Sequence, residues 1–367
     1  MKHLTICTVV GARPQFIKAA AVSRAIADLN RAGEADIAEY LLHTGQHFDF
    51  NMSGSFFEEL QIPKPNKNLD INSGTHAEMT AHMLVGIERT MVEIEPDMVL
   101  VYGDTNSTLA GSLAAAKLKV PVAHVEAGLR SFNMAMPEEV NRILTDRVSS
   151  LLFCPTATAV DNLGHEGITA GIHLTGDVMY DVALRYREIA ERRIDLAQWQ
   201  VRQREFVLCT IHRAENTDDP ARLRHILAAL GDIARDTTVL FPIHPRTRKA
   251  IAAGGLDHLV ADLAVIAPVG YLEMVRLEAA ARAILTDSGG VQKEAFFHGV
   301  PCLTLRDETE WVETIAAGRN VLCGADRARI GAAWRALESP APTAPAGDAF
   351  GDGTAARKTA RILANQA

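Results

Sequence analysis

Aromatic residues are scarce, at 5% of 367 residues. Cysteines are few and scattered: Cys7, Cys154, Cys209, Cys302 and Cys323. They form no C-x-x-C pair, which argues against a disulfide framework or a zinc cluster, and most sit in apolar runs where a buried thiol is expected. No apolar run reaches the roughly eighteen residues that a transmembrane helix needs, so no membrane partner is expected. No G-x-G-x-x-G occurs, so the nicotinamide fingerprint is absent and no cofactor is expected. No basic stripe rises above a formal charge of −8, which argues against a nucleic-acid partner. An anionic ligand must then be held by local groups. The start, Met1-Lys2-His3 followed by LTICTVV, imitates a short signal peptide. Arg13 follows closely, however, and the run reads better as a first buried strand. A cytoplasmic protein is the default expectation.

What remains is ordinary globular composition, 48% apolar and 22% charged, long enough for two domains or three. Short apolar runs recur at 4–10, 38–43, 98–103, 120–125 and 151–154, then at 206–211, 238–243, 263–267, 282–286 and 302–305. Each is continuous rather than alternating, as in strands covered on both faces. Helix-length segments lie between them at 14–30, 76–94, 107–117, 138–149, 220–234, 272–281 and 290–298. Strand alternating with helix predicts α/β architecture with parallel sheets. The pattern occurs twice, around a charged, helix-like bridge at 183–203. Two doubly wound domains meeting at an interdomain cleft are expected, 1–180 and 181–353, with a final helix over 354–367. The Pro-, Gly- and Ala-rich stretch 334–353 reads as a surface loop.

Doubly wound sheets bind ligands beyond the carboxyl ends of their strands, so the residues there are the candidates. Arg13 precedes Pro14, a first-turn proline, and Lys18 follows one turn later; the two make either an anion pocket or a solvated helix start. Asp104 follows 98–103 and serves as a cap or as an acid. Glu126 follows a strand directly, where a carboxylate is costly without a partner or a task. Glu138 or Glu139 opens the next helix as a dipole acid. His212 and Arg213 follow one strand of the second half, and His244 another. Ser288, Gly289 and Gly290 open a helix in the way phosphate sites do, with Glu294 placed to meet ribose hydroxyls. His43 and His47 flank Thr-Gly-Gln, but no third ligand spacing accompanies them, so no metal is expected.

In this order, GARPQFIK (11–18), TGQH (44–47), GDTNSTLAG (103–111), HVEAGLRS (124–131), PEEVNRILTD (137–146), HRAEN (212–216), HPR (244–246), DSGGVQKEA (287–295) and TEWVE (309–313) resemble the non-hydrolysing UDP-N-acetylglucosamine 2-epimerase family. The resemblance implies two Rossmann-like domains of the GT-B type, a last helix crossing back onto the first domain, and a homodimer. By residue, it implies that Arg13, Lys18, Arg213, His212, His244, Ser288, Gly289, Gly290 and Glu294 bind UDP. It implies acid/base work for Asp104, Glu126 and Glu138, with His212 among the catalytic group. GDVMYD (176–181), HRAENTDDP (212–220), HPRTR (244–248), PVGYLEM (268–274) and RDETEWVE (306–313) look most like the branch acting on UDP-2,3-diacetamido-2,3-dideoxy-glucuronate for surface polysaccharide. Trp311 stands where UDP-N-acetylglucosamine enzymes commonly have Arg. Val269 and Met274 stand where a Gln and a Phe are common. The implied chemistry is elimination and return of UDP through a glycal. The alternatives share the architecture: epimerisation of UDP-N-acetylglucosamine itself to UDP-N-acetylmannosamine, a hydrolysing relative, or a GT-B glycosyltransferase.

Overall fold

The computed structural model describes residues 3–45, 64–337 and 349–366. The chain forms two compact units, Met1–Val182 with Asp348–Ala367, and Ala183–Gly347. Each is built on a parallel, doubly wound sheet of Rossmann-like type.

In the first unit the described strands are β1 (Leu4–Val10), β2 (Ile37–His43), β3 (Lys67–Asn68), β4 (Met98–Tyr102), β5 (Val122–Val125), β6 (Leu151–Cys154) and β7 (Ile172–Leu174). Their spatial order is β3-β2-β1-β4-β5-β6-β7. The central strands are buried on both faces because helices cover both sides, which is why they read as unbroken apolar runs. Register aligns Val10 with His43 and Tyr102 with Val125. Strands β1, β4 and β5 therefore release their next residues at one sheet edge. The chain order reverses between β1 and β4, the switch point where doubly wound sheets bind ligands.

The second unit holds β8 (Phe206–Thr210), β9 (Thr238–Pro242), β10 (Ala264–Ile266), β11 (Ala283–Thr286), β12 (Cys302–Thr304) and β13 (Asn320–Leu322). Their order is β10-β9-β8-β11-β12-β13. Here the switch point lies between β8 and β11, where Thr210 pairs with Thr286. The residues after β8 and β11 thus emerge side by side.

The sequence expectations differ from the structure in several places. Strands β3, β7 and β13 lie outside the predicted runs. The first two are two and three residues long and none is fully buried, so their apolar signal is weak. The bridge 183–203 is not one helix: the helix Val178–Arg193 ends, and a short 3-10 turn, Leu196–Trp199, follows. The stretch 334–353 is not wholly surface loop. Trp334 belongs to the helix Arg327–Ala336 and is buried, as is Phe350 beyond it; residues 338–348 lie outside the described ones. Small-residue composition hid the two aromatic anchors. Asp177 N–H donates to the Phe350 carbonyl at 2.9 Å. The final helix, Ala355–Ala364, lies against the helix Arg13–Arg31.

All five cysteines are buried and unbridged. Burial pushes the Cys7 and Cys154 thiols up to about 12, so neither is a thiolate at neutral pH. Among the described residues no helix is long and apolar enough to cross a membrane.

Candidate active site

Within the first unit, the strand-end turns are tied together by buried polar groups. Arg13 opens its helix with Pro14 next, and Gln15 fixes the turn. Its Oε1 accepts the Gly11 and Ala12 amides at 2.8 and 2.9 Å, and its Nε2 donates to the Tyr102 carbonyl at 2.8 Å. This bridges the β1 and β4 turns. Lys18, one turn on, is almost wholly buried and ion-paired to Glu126. Its charge is directed at that carboxylate, which answers the cost of a carboxylate at a strand end. Glu126 sits at φ 74°, a left-handed conformation that is uncommon for a non-glycine residue and concentrates at functional sites. Gly103 lies beside the pair: a Cβ on it would stand 3.3 Å from Glu126 Oε2 and 3.5 Å from Lys18 Nζ.

Asp104 is one-third exposed and accepts the Arg142 guanidinium at 2.5 Å. Arg142 also donates to Glu139 at 2.9 Å. Of the two first-turn acids, Glu139 is the buried one; its carboxylate takes the Ser131 and Phe132 amides and the Ser131 hydroxyl at 2.9–3.1 Å. Glu138, its neighbour, is exposed and open to a ligand. Behind this layer His124 is fully buried, with Nδ1 2.7 Å from Asp146 Oδ1 and Nε2 2.7 Å from the Gly103 carbonyl. Asp146 also accepts Gly128 N–H at 3.1 Å and Arg130 at 2.7 Å. Burial would raise the Asp146 carboxyl, but His124 and Arg130 outweigh it and hold the group below its ordinary value. One buried carboxylate therefore orients the turns that carry both Asp104 and Glu126.

In the second unit Asp287 plays the corresponding part. It is fully buried and accepts the His212 and Arg213 amides at 3.0 Å and Asn216 Nδ2 at 3.1 Å. That locks the 212–216 turn against the start of the next helix. His212 is half-buried, its ring 5.8 Å from that of His244. Burial pushes its imidazole down, Asp287 pulls it back, and His244 and Arg213 add to the lowering, so neutral imidazole is favoured. His244 is exposed and caps its helix, accepting Arg246 N–H at 3.2 Å. Ser288 caps the helix Gly289–Phe297, leaving the Gly289 and Gly290 amides in the first turn, where helix geometry supplies no internal acceptor. A Cβ on Gly289 would lie 3.5 Å from Trp311 Nε1, 3.7 Å from Glu310 Oε2 and 3.9 Å from an Arg213 nitrogen. Glu310 would be raised by burial, but Arg306 holds it below its usual range, with Arg213 contributing. Lys293 lies 4.0 Å over the Trp311 ring, a cation–π contact that fixes the indole. Glu294 is half-buried in the same helix.

The structure thus brings Lys18, Glu126 and Gly103 together, and Asp104 with Arg142; it brings His212, Arg213, Ser288 and Gly289 together in the second unit. Sequence reasoning missed Gln15, His124, Arg142, Asp146, Asn216 and Asp287. All are buried polar residues inside or beside apolar segments, and that was the signal available. His43 is buried edge-on to Phe16, 4.8 Å away, while His47 lies outside the described residues. Among the described residues no three His, Cys, Asp or Glu side chains converge as metal ligands.

A UDP-N-acetylglucosamine 2-epimerase family model matches residues 30–364. The chain is 56% identical over 331 residues, 89% of it and 90% of the relative, to a UDP-2,3-diacetamido-2,3-dideoxy-D-glucuronate 2-epimerase of Pseudomonas aeruginosa. A crystal structure of the Methanocaldococcus jannaschii UDP-GlcNAc 2-epimerase in complex with UDP-GlcNAc and UDP superposes with TM-score 0.87 at 42% identity, covering 99% of this chain and 100% of that one. A Neisseria meningitidis UDP-GlcNAc 2-epimerase bound to UDP-GlcNAc superposes with TM-score 0.86 at 31% identity, over 99% and 100% of the two chains.

Proposed function

Since the chain belongs to the UDP-N-acetylglucosamine 2-epimerase family, we propose that it inverts C2 of UDP-2,3-diacetamido-2,3-dideoxy-D-glucuronate, giving the manno epimer. It is a UDP-sugar 2-epimerase with the two-unit Rossmann-like GT-B fold. The observation that carries the substrate is the 56% identity to the Pseudomonas aeruginosa enzyme. Trp311, fixed under Lys293 beside Gly289, supports it as a departure from the arginine common in the plain UDP-N-acetylglucosamine enzymes.

The C2 proton of such a sugar is not acidic, because no carbonyl adjoins it. Elimination solves this. A carboxylate takes the C2 proton, its electron pair forms the C1=C2 double bond, and the C1–O bond breaks with its electrons leaving on UDP. Return needs a proton delivered to C2 from the opposite face and attack of the UDP oxygen on C1. The protein must therefore hold an anionic leaving group and present acids on both sugar faces. We assign the nucleotide to the second unit: the Gly289 and Gly290 amides, Ser288 and Arg213 for the diphosphate, neutral His212 and His244 beside it, and Glu294 for ribose. Asp104, Glu126 and Glu138 are assigned the proton transfers in the first unit, with Arg13 and Lys18 as its cations. Glu126 paired to an ammonium, Asp104 paired to a guanidinium and an exposed Glu138 are three carboxylates in unlike settings, as opposite proton roles require. The same reading makes the protein a cytoplasmic homodimer working in surface polysaccharide synthesis, testable by cell fractionation and light scattering.

The test is to supply UDP-2,3-diacetamido-glucuronate and UDP-N-acetylglucosamine side by side in deuterated water and follow them by NMR. The diacetamido uronate is expected to turn over faster, with deuterium entering C2 and no free sugar accumulating. Equal or reversed rates would defeat the substrate. Free sugar formed in step with turnover would point to a hydrolysing enzyme, and no exchange without an acceptor to a glycosyltransferase.

A further inference from the structure

Phe132 is held in a way that packing does not explain. Its φ is 58°, a left-handed conformation that a bulky L-residue adopts only at a cost and that glycine adopts freely. Its side chain is 79% exposed, so burial within its own unit does not repay that cost. The conformation is nonetheless over-determined. Glu139 Oε1 accepts the Phe132 amide at 2.9 Å, and Glu139 Oε2 accepts the adjacent Ser131 amide and hydroxyl, each at 2.9 Å. Glu139 in turn accepts Arg142 at 2.9 Å, and Arg142 donates to Asp104 at 2.5 Å. Two buried side chains thus connect the strained aromatic to a proposed acid. Met134, two residues on, is 62% exposed in the same segment.

Strain maintained by a dedicated network, with no internal packing gained, marks a residue kept for a ligand. We propose that Phe132 contacts the substrate sugar, its ring packing on an acetamido-bearing part of the pyranose beside Asp104. The carboxylates and cations around it can bind or move protons, but none offers an apolar surface for an acetamido methyl or a ring C–H. The Glu139–Arg142 pair acts as the positioning device. The inference rests on the UDP-sugar reading above and names a sugar contact within it.

Two variants test it, Phe132→Ala and Phe132→Gly. Both are expected to lower kcat/KM for the sugar nucleotide about tenfold, the size of one aromatic contact. Inhibition by UDP, which lacks the sugar, should stay within twofold of wild type. Glycine suits the backbone at this position, so Phe132→Gly should unfold at the same temperature as wild type or higher while losing activity. A kcat/KM within twofold of wild type in both variants overturns the proposal, as does an equal weakening of UDP inhibition. A change of oligomeric state with unchanged kinetics also overturns it and assigns the ring to a protein contact. If wild type turns over neither UDP-sugar, the proposed substrate reading fails instead; if it does and the variants match it, only the Phe132 contact fails.

Discussion

Glu126 pairs with Lys18 and holds a left-handed backbone, so its replacement separates chemistry from architecture. Glu126→Gln keeps the shape and removes the carboxylate to which a proton transfer is assigned. Its kcat is expected to fall about a hundredfold or more, roughly 2.7 kcal/mol of barrier. Asp104→Asn should fall by a similar factor, read as loss of both epimerisation and solvent deuterium exchange at C2. Glu278 is a different kind of residue. It is fully buried, neither carboxylate oxygen has a hydrogen-bond partner among the described residues, and His298 Nε2 stands 3.9 Å away. Burial lifts its carboxyl well above the ordinary 4.5, and Glu294 adds to the shift. His298 is pushed down to about 4 by burial, with Arg187 and Arg204 adding to the drop and Glu191 opposing it. The pair is therefore neutral in the fold. The stability that the neutral carboxyl contributes is fully present below 4.5. As pH climbs, the unfolded chain releases this proton while the fold retains it, so stability falls, by at most about 1.4 kcal/mol per pH unit. Glu278→Gln removes that slope. Its stability relative to wild type should rise between pH 5 and pH 8 in denaturant titrations; a flat or falling difference would refute the assignment.

At the level of turns and helices, single buried carboxylates organise whole segments. Asp287→Asn places an NH2 group against the His212, Arg213 and Asn216 donors. A loss of about 3 kcal/mol in stability is expected from several unsatisfied buried groups, with UDP affinity by calorimetry about tenfold weaker because the 212–216 turn carries the proposed clamp. Asp181 acts at a distance. It accepts the Ala355 and Ala356 amides at 3.1 and 2.8 Å, capping the last helix from 174 positions away in the chain. Asp181→Ala should cost about 1 kcal/mol, as a lost N-cap does, with faster amide exchange confined to 355–364. The helix limits themselves were legible: prolines at the starts of Arg13–Arg31, Pro137–Val148 and Pro220–Ala234 mark them. The partners of those helices were not, because a cap such as Asp181 is a neighbour in space and not in sequence.

For the whole molecule, a ligand that binds the fold and not the unfolded chain must stabilise it. UDP at a hundred times its Kd should add about 2.7 kcal/mol to unfolding stability, and the gain should vanish when Ser288 and Arg213 are both replaced by alanine. Calorimetric scans with and without UDP check this; a full shift surviving in the double variant would move the nucleotide elsewhere. Strand order also belongs to this scale. The reversals between β1 and β4 and between β8 and β11 put the turns that carry Arg13 and Asp104, and those that carry His212 and Ser288, after neighbouring strands. Each pair is separated in sequence by more than seventy residues.

Much of this was present in the chain before it folded. Continuous apolar runs alternating with helix-length segments force parallel sheets covered on both faces, and polar residues gathered after those runs mark the candidate ligand-binding positions. Those signals are local, set by periodicity and by the cost of polar groups next to apolar strands. Which carboxylate is open and which is buried is not local. Glu138 and Glu139 are adjacent, yet one is exposed while the other is consumed by Arg142 and two amides. Lys18 faces Glu126, Asp146 holds two turns at once, and Phe132 is kept in a glycine's conformation. These depend on register and on pairings between distant residues, since hydrogen bonds and ion pairs act over a few ångströms of space, whatever the separation along the chain.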